Sequence, residues 1–157
     1  MDQPPARRFA CDAMLGGLAR WLRAAGYDAS WHPGIDDREL VRLAEQEGRT
    51  LLSCDTKIFL FRVIRDGVVP SLLVPLHAKP ADQAAHVRAH FHLGVLEPRC
   101  MACGGALLRA TKEEVKERVP PRTFNWLEEY WRCERCDRVF WRGTHWRRIE
   151  ERLRAFS

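Results

Sequence analysis

Residues 51–57 read LLSCDTK, an apolar run that ends in a carboxylate, Asp55. An earlier run, residues 8–12 (RFACD), has the same form: it ends in Cys11 and Asp12, and a helical pattern follows. Short apolar runs bounded by polar or turn residues are typical of buried strands. The repetition therefore predicts two strands that each deliver an acid to the same edge of a sheet.

Strands and helices alternate outward from these two runs. Apolar spacing and turn residues predict helices over residues 13–25, 36–48, 58–65 and 82–91, and strands over residues 27–32, 49–54 and 68–76. A further helix is predicted over residues 112–118, ended by two prolines. The alternation favours an α/β fold, a three-layer domain with a mainly parallel sheet over residues 1–97. A smaller module is expected over residues 98–157.

Three acids are expected near the carboxyl edge of this sheet. Ligands of open parallel sheets bind outside the carboxyl ends of the strands, where Asp12 and Asp55 are placed. Asp37 begins the helix that leads into the second of these strands. Converging carboxylates repel unless a cation neutralises them, and ligand sets made only of oxygen suit Mg²⁺ or Mn²⁺. Such a cation activates water and stabilises a phosphodiester under attack.

Each acid also has a structural interpretation. Asp12 could cap the first helix, and Asp55 could serve only as a turn residue. Asp36 or Asp37 could cap the second helix, and Glu39 would complete a capping box with Asp36.

The two cysteines that precede the acids also carry alternative interpretations. Because side chains alternate along a strand, Cys11 and Cys54 are expected to face the core if the acids face the crevice. A redox pair is the other interpretation, although free cysteines commonly pack as small apolar residues.

Four of the six cysteines form two pairs, Cys100-x2-Cys103 and Cys133-x2-Cys136. Four thiolates close a tetrahedral shell around Zn²⁺ and leave no open position, which predicts a structural site. The spacing favours metal binding in a reducing compartment over disulfide bonds. Residues 98–157 are therefore predicted to be a zinc ribbon with a basic C-terminal helix.

The net charge of +5 is concentrated in this second module. Residues 1–97 contain 12 Lys and Arg against 12 Asp and Glu, whereas residues 98–157 contain 14 against 9. A basic segment interleaved with aromatic residues suits single-stranded nucleic acid, because bases stack on aromatic rings and arginines contact phosphate. A solvated basic face is the alternative, and Trp141 and Trp146 could instead form the small core of the ribbon.

Candidate nucleic-acid contacts lie in the first helix and in the ribbon. Asp12, Gly16, Arg20 and Arg23 follow one stripe of the first helix, which places two arginines beside the acids. The full set of candidates is Arg20, Arg23, Arg135, Arg138, Arg142, His145, Arg147 and Arg148.

Three segments resemble a known group of nucleases. Residues 37–55 resemble the helix, strand and acid unit of PIN-like ribonucleases, and residues 11–23 (CDAMLGGLARWLR) resemble the opening of the Mut-seven C-terminal RNase family. Residues 139–146 (VFWRGTHW) are similar to the end of that family's zinc ribbon.

The resemblance implies a metal-dependent ribonuclease. Asp12, Asp37 and Asp55 would hold Mg²⁺ or Mn²⁺, and the products would carry a 5′-phosphate and a 3′-hydroxyl. PIN nucleases present a fourth acid, for which Asp36 or Asp82 is the candidate. The alternative function is a non-catalytic RNA-binding adaptor with a vestigial acidic site.

The sequence contains no run of about 18 apolar residues and no apolar leader, so a cytoplasmic protein without membrane contact is expected.

Overall fold

The computed structural model describes residues 5–155, and four short strands form its larger sheet. The strands are β1 (Phe9–Cys11), β2 (Ala29–Trp31), β3 (Thr50–Ser53) and β4 (Ser71–Leu73). They are all parallel, in the order β2-β1-β3-β4. The predicted α/β fold with a parallel sheet is confirmed.

Helices cover both faces of this sheet. They are α1 (Gly16–Ala24), α2 (Asp37–Glu47), a 3₁₀ helix (Thr56–Leu60), α3 (Arg62–Arg65) and α4 (Pro80–Phe91). Helices α1 and α4 pack with Phe9 and Cys11 in one buried cluster, whereas α2 and α3 pack with Ala10 in another. Adjacent residues of β1 thus face opposite layers, as the pleat of a strand requires.

Several predicted elements have other bounds in the structure: the strand predicted over residues 68–76 is limited to Ser71–Leu73, between Pro70 and Pro75, and two predicted helices change because of the local backbone geometry. The first helix begins at Gly16 and not at residue 13, since the N–H of Met14 bonds to Asp12 Oδ1 and the N–H of Leu15 to the Asp12 carbonyl. The helix predicted over residues 58–65 is divided by Phe61, whose backbone is extended.

The second module contains an antiparallel sheet and three helices. Its elements are β5 (Leu107–Ala110), α5 (Lys112–Val115), α6 (Pro121–Trp126), β6 (Tyr130–Cys133), β7 (Val139–Phe140) and α7 (Thr144–Ala155). The predicted helix over 112–118 ends at Val115, and Pro121 begins α6, because the fixed φ of proline suits the first helical turn. Val115, Val119 and Tyr130 form a small buried cluster of their own.

The C-terminal helix packs back onto the first module. Ile149 and Leu153 of α7 belong to the same buried cluster as α1 and α4. Arg88 Nη1 donates to the Leu153 carbonyl at 2.9 Å, and Arg152 pairs with Asp82 at 3.1 Å. The predicted division after residue 97 stays a prediction, but the two modules share a core.

None of the helices in residues 5–155 is both long enough and apolar enough to cross a membrane.

The segment that joins the modules is fixed against the end of α1. The N–H of Leu96 donates to the Ala25 carbonyl, and the N–H of Arg99 donates to the Arg23 carbonyl. Gly26 has φ 96°, and a Cβ there would lie 2.5 Å from Leu96 Cβ. Only glycine allows the segment to approach this closely.

Candidate active site, metal centre and nucleic-acid surface

The winding of the chain reverses at β1, which creates a crevice at the carboxyl ends of β1 and β3. From β1 the chain moves to β2 on one side, and it then crosses to β3 and β4 on the other. Such a switch point is where open α/β sheets bind ligands. Asp12 follows β1 directly and Asp55 lies two residues after β3, so both predicted acids flank the crevice.

Asp12 is held by donors from three directions. It is 7% exposed. The Ser53 hydroxyl donates to its Oδ2 at 2.6 Å and the N–H of Cys54 donates to the same oxygen at 3.1 Å. The N–H of Met14 donates to Oδ1 at 2.9 Å. Asp12 therefore forms an Asx turn before α1, and the side-chain cap of that helix that we considered is absent: Leu15 is the N-cap.

Asp55 is more exposed and is tied to Asp12 through Ser53. Its Oδ1 accepts the N–H of Lys57 at 2.9 Å, which caps the 3₁₀ helix. Its own N–H donates to Ser53 Oγ at 3.0 Å. Sequence reasoning missed Ser53, although a hydroxyl at the end of the buried apolar strand TLLS was the available signal. One hydroxyl thus fixes the positions of two acids.

The carboxylate of Asp37 interacts electrostatically with those of Asp55 and Asp12. Partial burial, followed by the charges of Asp55 and Asp12, raises the pKa of Asp37. Its neighbour Asp36 performs the capping role, because Asp36 Oδ1 accepts the N–H of Glu39 at 2.8 Å. The predicted N-cap at Asp36 is confirmed, which leaves Asp37 without that function.

The three carboxylates share the crevice but their oxygens do not meet. Among residues 5–155, the four paired cysteines are the only group of three or more metal-ligating side chains whose ligand atoms come together. Mutual repulsion is the physical reason for the separation of like charges. Of the two candidates for a fourth acid, Asp36 caps α2 and also contributes, after burial, Asp55 and Asp12, to the raised pKa of Asp37, whereas Asp82 pairs with Arg152.

The two cysteines beside the acids have different environments. Cys11 lies in the core, where burial raises the pKa of its thiol to about 12. Cys54 is partly exposed, and its Sγ lies 3.9 Å from Asp12 Oδ2. Cys54 packs against the same core cluster as Cys11, as predicted, but because β3 ends at Ser53 its sulfur also lies beside Asp12. A thiol as buried as Cys11 is unreactive, which argues against a redox pair.

The paired cysteines form a site that can bind a metal such as zinc. Their four sulfurs lie within 4.8 Å of one another. The Sγ atoms of Cys100 and Cys136 are 3.6 Å apart, and those of Cys103 and Cys133 are 3.4 Å apart. A Zn–S length of about 2.3 Å gives a tetrahedron with edges of about 3.8 Å. The sulfurs therefore lie close to the positions that tetrahedral zinc requires.

Backbone geometry holds both cysteine turns in equivalent conformations. The residue after each second cysteine has positive φ, 83° at Gly104 and 64° at Asp137. The N–H of Gly105 donates to Cys103 Sγ at 3.3 Å. Although burial opposes it, the N–H donors of Cys136 and Arg135 lower the pKa of the Cys133 thiol to about 7. Donors of this kind favour the thiolate form that binds metal, whereas burial raises the pKa of the Cys100 thiol to about 12 and also raises the pKa of the Cys103 thiol.

Three of the predicted nucleic-acid contacts line one cavity between the modules. Arg20 from α1 and Arg138 and His145 from the ribbon surround a volume of about 290 Å³. Arg142 lies over the Trp131 ring, 5.0 Å from its centroid. Arg135, Arg147 and Arg148 are exposed on the ribbon side. The fold thus brings a basic residue of the acid-bearing module next to the basic surface of the ribbon.

The prediction for Arg23 is corrected by its burial. Arg23 is 4% exposed, and its Nε donates to the Ala29 carbonyl at 2.9 Å. Its Nη1 donates to the carbonyls of Met101 at 3.0 Å and Ala102 at 3.2 Å. The guanidinium therefore joins α1 to the first cysteine turn, and its donors are used within the protein.

The tryptophans of the ribbon differ in role. Trp141 packs against the ribbon cluster, as its structural interpretation predicted, whereas Trp146 packs against the core of the first module and not in the core of the ribbon. Trp131 packs against none of the three buried clusters of the described residues and lines a cavity instead.

Comparison with known proteins agrees with this architecture. A family model described as the Mut7-C RNAse domain matches residues 7–153. The curated protein "Exonuclease mut-7 homolog" from Homo sapiens is 36% identical over 123 residues, which cover 73% of this chain but 14% of that protein. No solved structure matches the chain significantly. The matches support a nuclease-type function, and the chain belongs to the Mut7-C RNAse domain family.

Proposed function

We propose that this domain is a divalent-metal-dependent ribonuclease in which Asp12, Asp37 and Asp55 form the catalytic centre. The observation that carries the proposal is the electrostatic coupling of Asp37 to Asp55 and Asp12 at the switch point of the sheet. Acids needed only for capping have no reason to share such a crevice. A cluster of interacting acids with a shifted pKa in a crevice is characteristic of functional sites.

The chemistry of the three side chains fits Mg²⁺ or Mn²⁺. They offer only carboxylate oxygens, which these cations prefer, and burial followed by the charges of neighbouring acids raises the pKa of Asp37. When bound, such a cation supplies Lewis acidity: it activates water and offsets negative charge on the phosphodiester.

The remaining groups of the site orient the acids. Ser53 and the N–H groups of Met14 and Cys54 fix both oxygens of Asp12, so this side chain is preorganised. The N–H of Lys57 fixes Oδ1 of Asp55, which leaves Oδ2 as the oxygen that could bind a cation. Supporting hydrogen bonds of this kind hold metal-binding carboxylates in productive positions.

The ribbon holds single-stranded RNA beside this centre. Arg20 lies one helical turn beyond Gly16 on α1, and it shares a cavity with Arg138 and His145. An RNA strand that leaves the acids along α1 would meet the positive side chains of Arg20 and Arg138 next. Zinc at the four cysteines has a structural role, because four thiolates complete its coordination.

The test is cleavage of end-labelled single-stranded RNA with Mg²⁺ or Mn²⁺ by wild type and Asp55→Asn. The variant keeps an oxygen that can accept the N–H of Lys57, so the fold should be retained while a charged ligand is lost. Activity should fall by more than the roughly 10- to 100-fold typical for groups that only support a metal ligand. The products should carry 5′-phosphates.

A matched control exists on α2. Asp36→Asn retains an equally good N-cap and should keep full activity, whereas Asp37→Asn should lose it. If wild type and Asp55→Asn are equally inactive with either cation yet bind RNA equally well, the adaptor function replaces the ribonuclease. Equal residual activity in both proteins would instead identify a contaminating nuclease.

A further inference from the structure

A second cavity lies between the joining segment and the ribbon sheet. It encloses about 210 Å³ and adjoins the cavity lined by Arg20, because Trp141 and Trp146 line both. Its walls include four aromatic rings: Trp131, Phe140, Trp141 and Trp146. The volume lies below the roughly 300–1,000 Å³ of pockets for larger ligands. It therefore suits one planar ring system.

The wall formed by the joining segment is held in place. Glu97 and Pro98 line the cavity, and backbone hydrogen bonds from Leu96 and Arg99 to the end of α1 flank them. Gly26 allows this close approach. The opposite wall is the ribbon sheet, in which Trp131 pairs with Phe140 across β6 and β7. The cavity is thus formed before any ligand binds.

The charged side chains at the opening of the cavity, Glu97 and Arg142, favour entry of a neutral base over entry of a phosphate. Arg142 and Arg109 both lie over the Trp131 ring, 5.0 Å and 5.4 Å from its centroid, so a base would stack against this ring and its arginine planes together. Arg142 also lies 3.9 Å from Glu97, a distance at which an exposed pair contributes little. Glu97 is 94% exposed, and its carboxylate would repel a phosphate that entered the cavity. Arg142 instead can contact the backbone outside while a neutral ring stacks on the planar groups within.

We propose that this cavity binds a single unstacked nucleobase of the RNA, with guanine preferred. Unpaired bases stack on aromatic rings and arginine planes, and proteins read them through their Watson–Crick edges. An ionised carboxylate only accepts hydrogen bonds. Guanine offers two adjacent N–H donors on that edge, whereas adenine, cytosine and uracil each place an acceptor beside their donor. Glu97 therefore favours guanine.

The test measures binding of labelled RNA strands of about eight nucleotides, a length within the usual site sizes for single strands, in which every position outside the centre carries an abasic sugar so that no flanking base can enter the cavity. One central position carries guanine, adenine, uracil or an abasic sugar, and fluorescence anisotropy is recorded without Mg²⁺ or Mn²⁺. Wild type should bind the guanine oligomer about tenfold more tightly than the abasic one, since removal of one base–aromatic stack weakens binding on this scale.

Variants separate the ring stack from the edge contact. Trp131→Leu should abolish the difference between guanine and abasic oligomers, whereas Trp126→Leu, a change at a 79% exposed tryptophan outside the cavity, should preserve it. Glu97→Gln should keep the advantage over the abasic oligomer but lose the preference for guanine over uracil. The exposed position of Glu97 makes this variant informative even if Trp131→Leu misfolds.

Equal affinity of wild type for all four oligomers would overturn the inference, and it is the pattern expected if an apolar peptide occupies the cavity. An equal loss in Trp126→Leu and Trp131→Leu would also overturn it. The inference rests on the proposed function only because RNA is the ligand. If wild type fails to cleave but keeps the guanine preference, the base site stands and the hydrolytic proposal falls. If wild type cleaves RNA but shows no base preference, the hydrolytic proposal stands and the base site falls.

Discussion

Replacement of Arg23 by methionine should loosen the joint between the two modules. The guanidinium is buried between α1, the start of β2 and the first cysteine turn, and it donates to three backbone carbonyls. Methionine retains most of the apolar stem but none of these donors. The Ala29, Met101 and Ala102 carbonyls would lose their partner in a site that admits little water.

The magnitude follows from the three bonds and their burial. Each carbonyl left without a partner costs about 1–3 kcal/mol when it is fully buried. Two of the three bonds are only partly buried, and burial itself disfavours the charged form, since it lowers the pKa of Arg23. We therefore expect a loss of about 3–4 kcal/mol in the free energy of unfolding. For a chain of this length that corresponds to a fall of about 10 °C in Tm.

The same change should weaken metal binding at the cysteines. Four thiolates around Zn²⁺ carry a net negative charge, and the Arg23 charge interacts favourably with Cys103 and Cys100. Zinc transfer to a colorimetric chelator should be faster in Arg23→Met. Arg20→Met is the matched control, because Arg20 lies on the same helix but is exposed. It should leave Tm and zinc transfer unchanged while it weakens RNA binding.

Two outcomes would refute this reasoning. An unchanged Tm in Arg23→Met would mean that water replaces the lost donors at no cost. A lower Tm with unchanged zinc transfer would mean that Arg23 stabilises the first module without coupling to the cysteine site.

Two further predictions concern the acids and the cysteine turns. Because burial and neighbouring acids raise the pKa of Asp37, the folded chain binds this proton more tightly than the unfolded chain, and ionisation lowers stability as pH rises through that pKa. The stability of Asp37→Asn relative to wild type should therefore increase as pH rises from about 4 to neutrality in denaturant titrations; a constant difference would show that Asp37 does not interact with the other acids. Gly105→Ala should weaken zinc binding, since the new Cβ would lie 2.8 Å from Cys133 Sγ. Gly94→Ala, where nothing lies within 4 Å, should bind zinc as wild type does, and equal affinity of both variants in a chelator competition would contradict the steric argument.

The arrangement gives α1 two functions on different faces. Arg20 points into the cavity shared with the ribbon, whereas Arg23 is buried in the joint. The helix that begins beside Asp12 thus also positions the zinc ribbon. A change in ribbon folding would consequently alter the cavity that Arg20 shares with the ribbon.

Local spacing was sufficient to predict much of the fold. The alternation of strands and helices, the Asp36 cap and the paired cysteines all depend on residues a few positions apart, where backbone geometry alone fixes which side chains are neighbours. The positions of Asp12 and Asp55 beside one crevice also followed from the sequence, because parallel strands share a carboxyl edge.

Contacts between distant segments could not be predicted in this way. Ser53 reaches Asp12 across 41 positions, and Arg23 reaches Met101 across 78. Periodicity marked Arg23 only as part of a helical stripe, and its burial depends on how the ribbon packs against α1. Likewise, α7 reads as a basic ribbon helix, yet Ile149 and Leu153 pack in the core of the first module.

The sequence by itself determined the alternation of strands and helices in the first module, the Asp36 cap and the paired cysteines, since each depends on short-range spacing and side-chain chemistry. The tertiary structure alone decided that Ser53 links two acids, that Arg23 joins the modules, and that Glu97 and Trp131 line one cavity. These features arise when surfaces far apart in the chain pack together to exclude water, and packing of that kind leaves no periodic signal in the sequence.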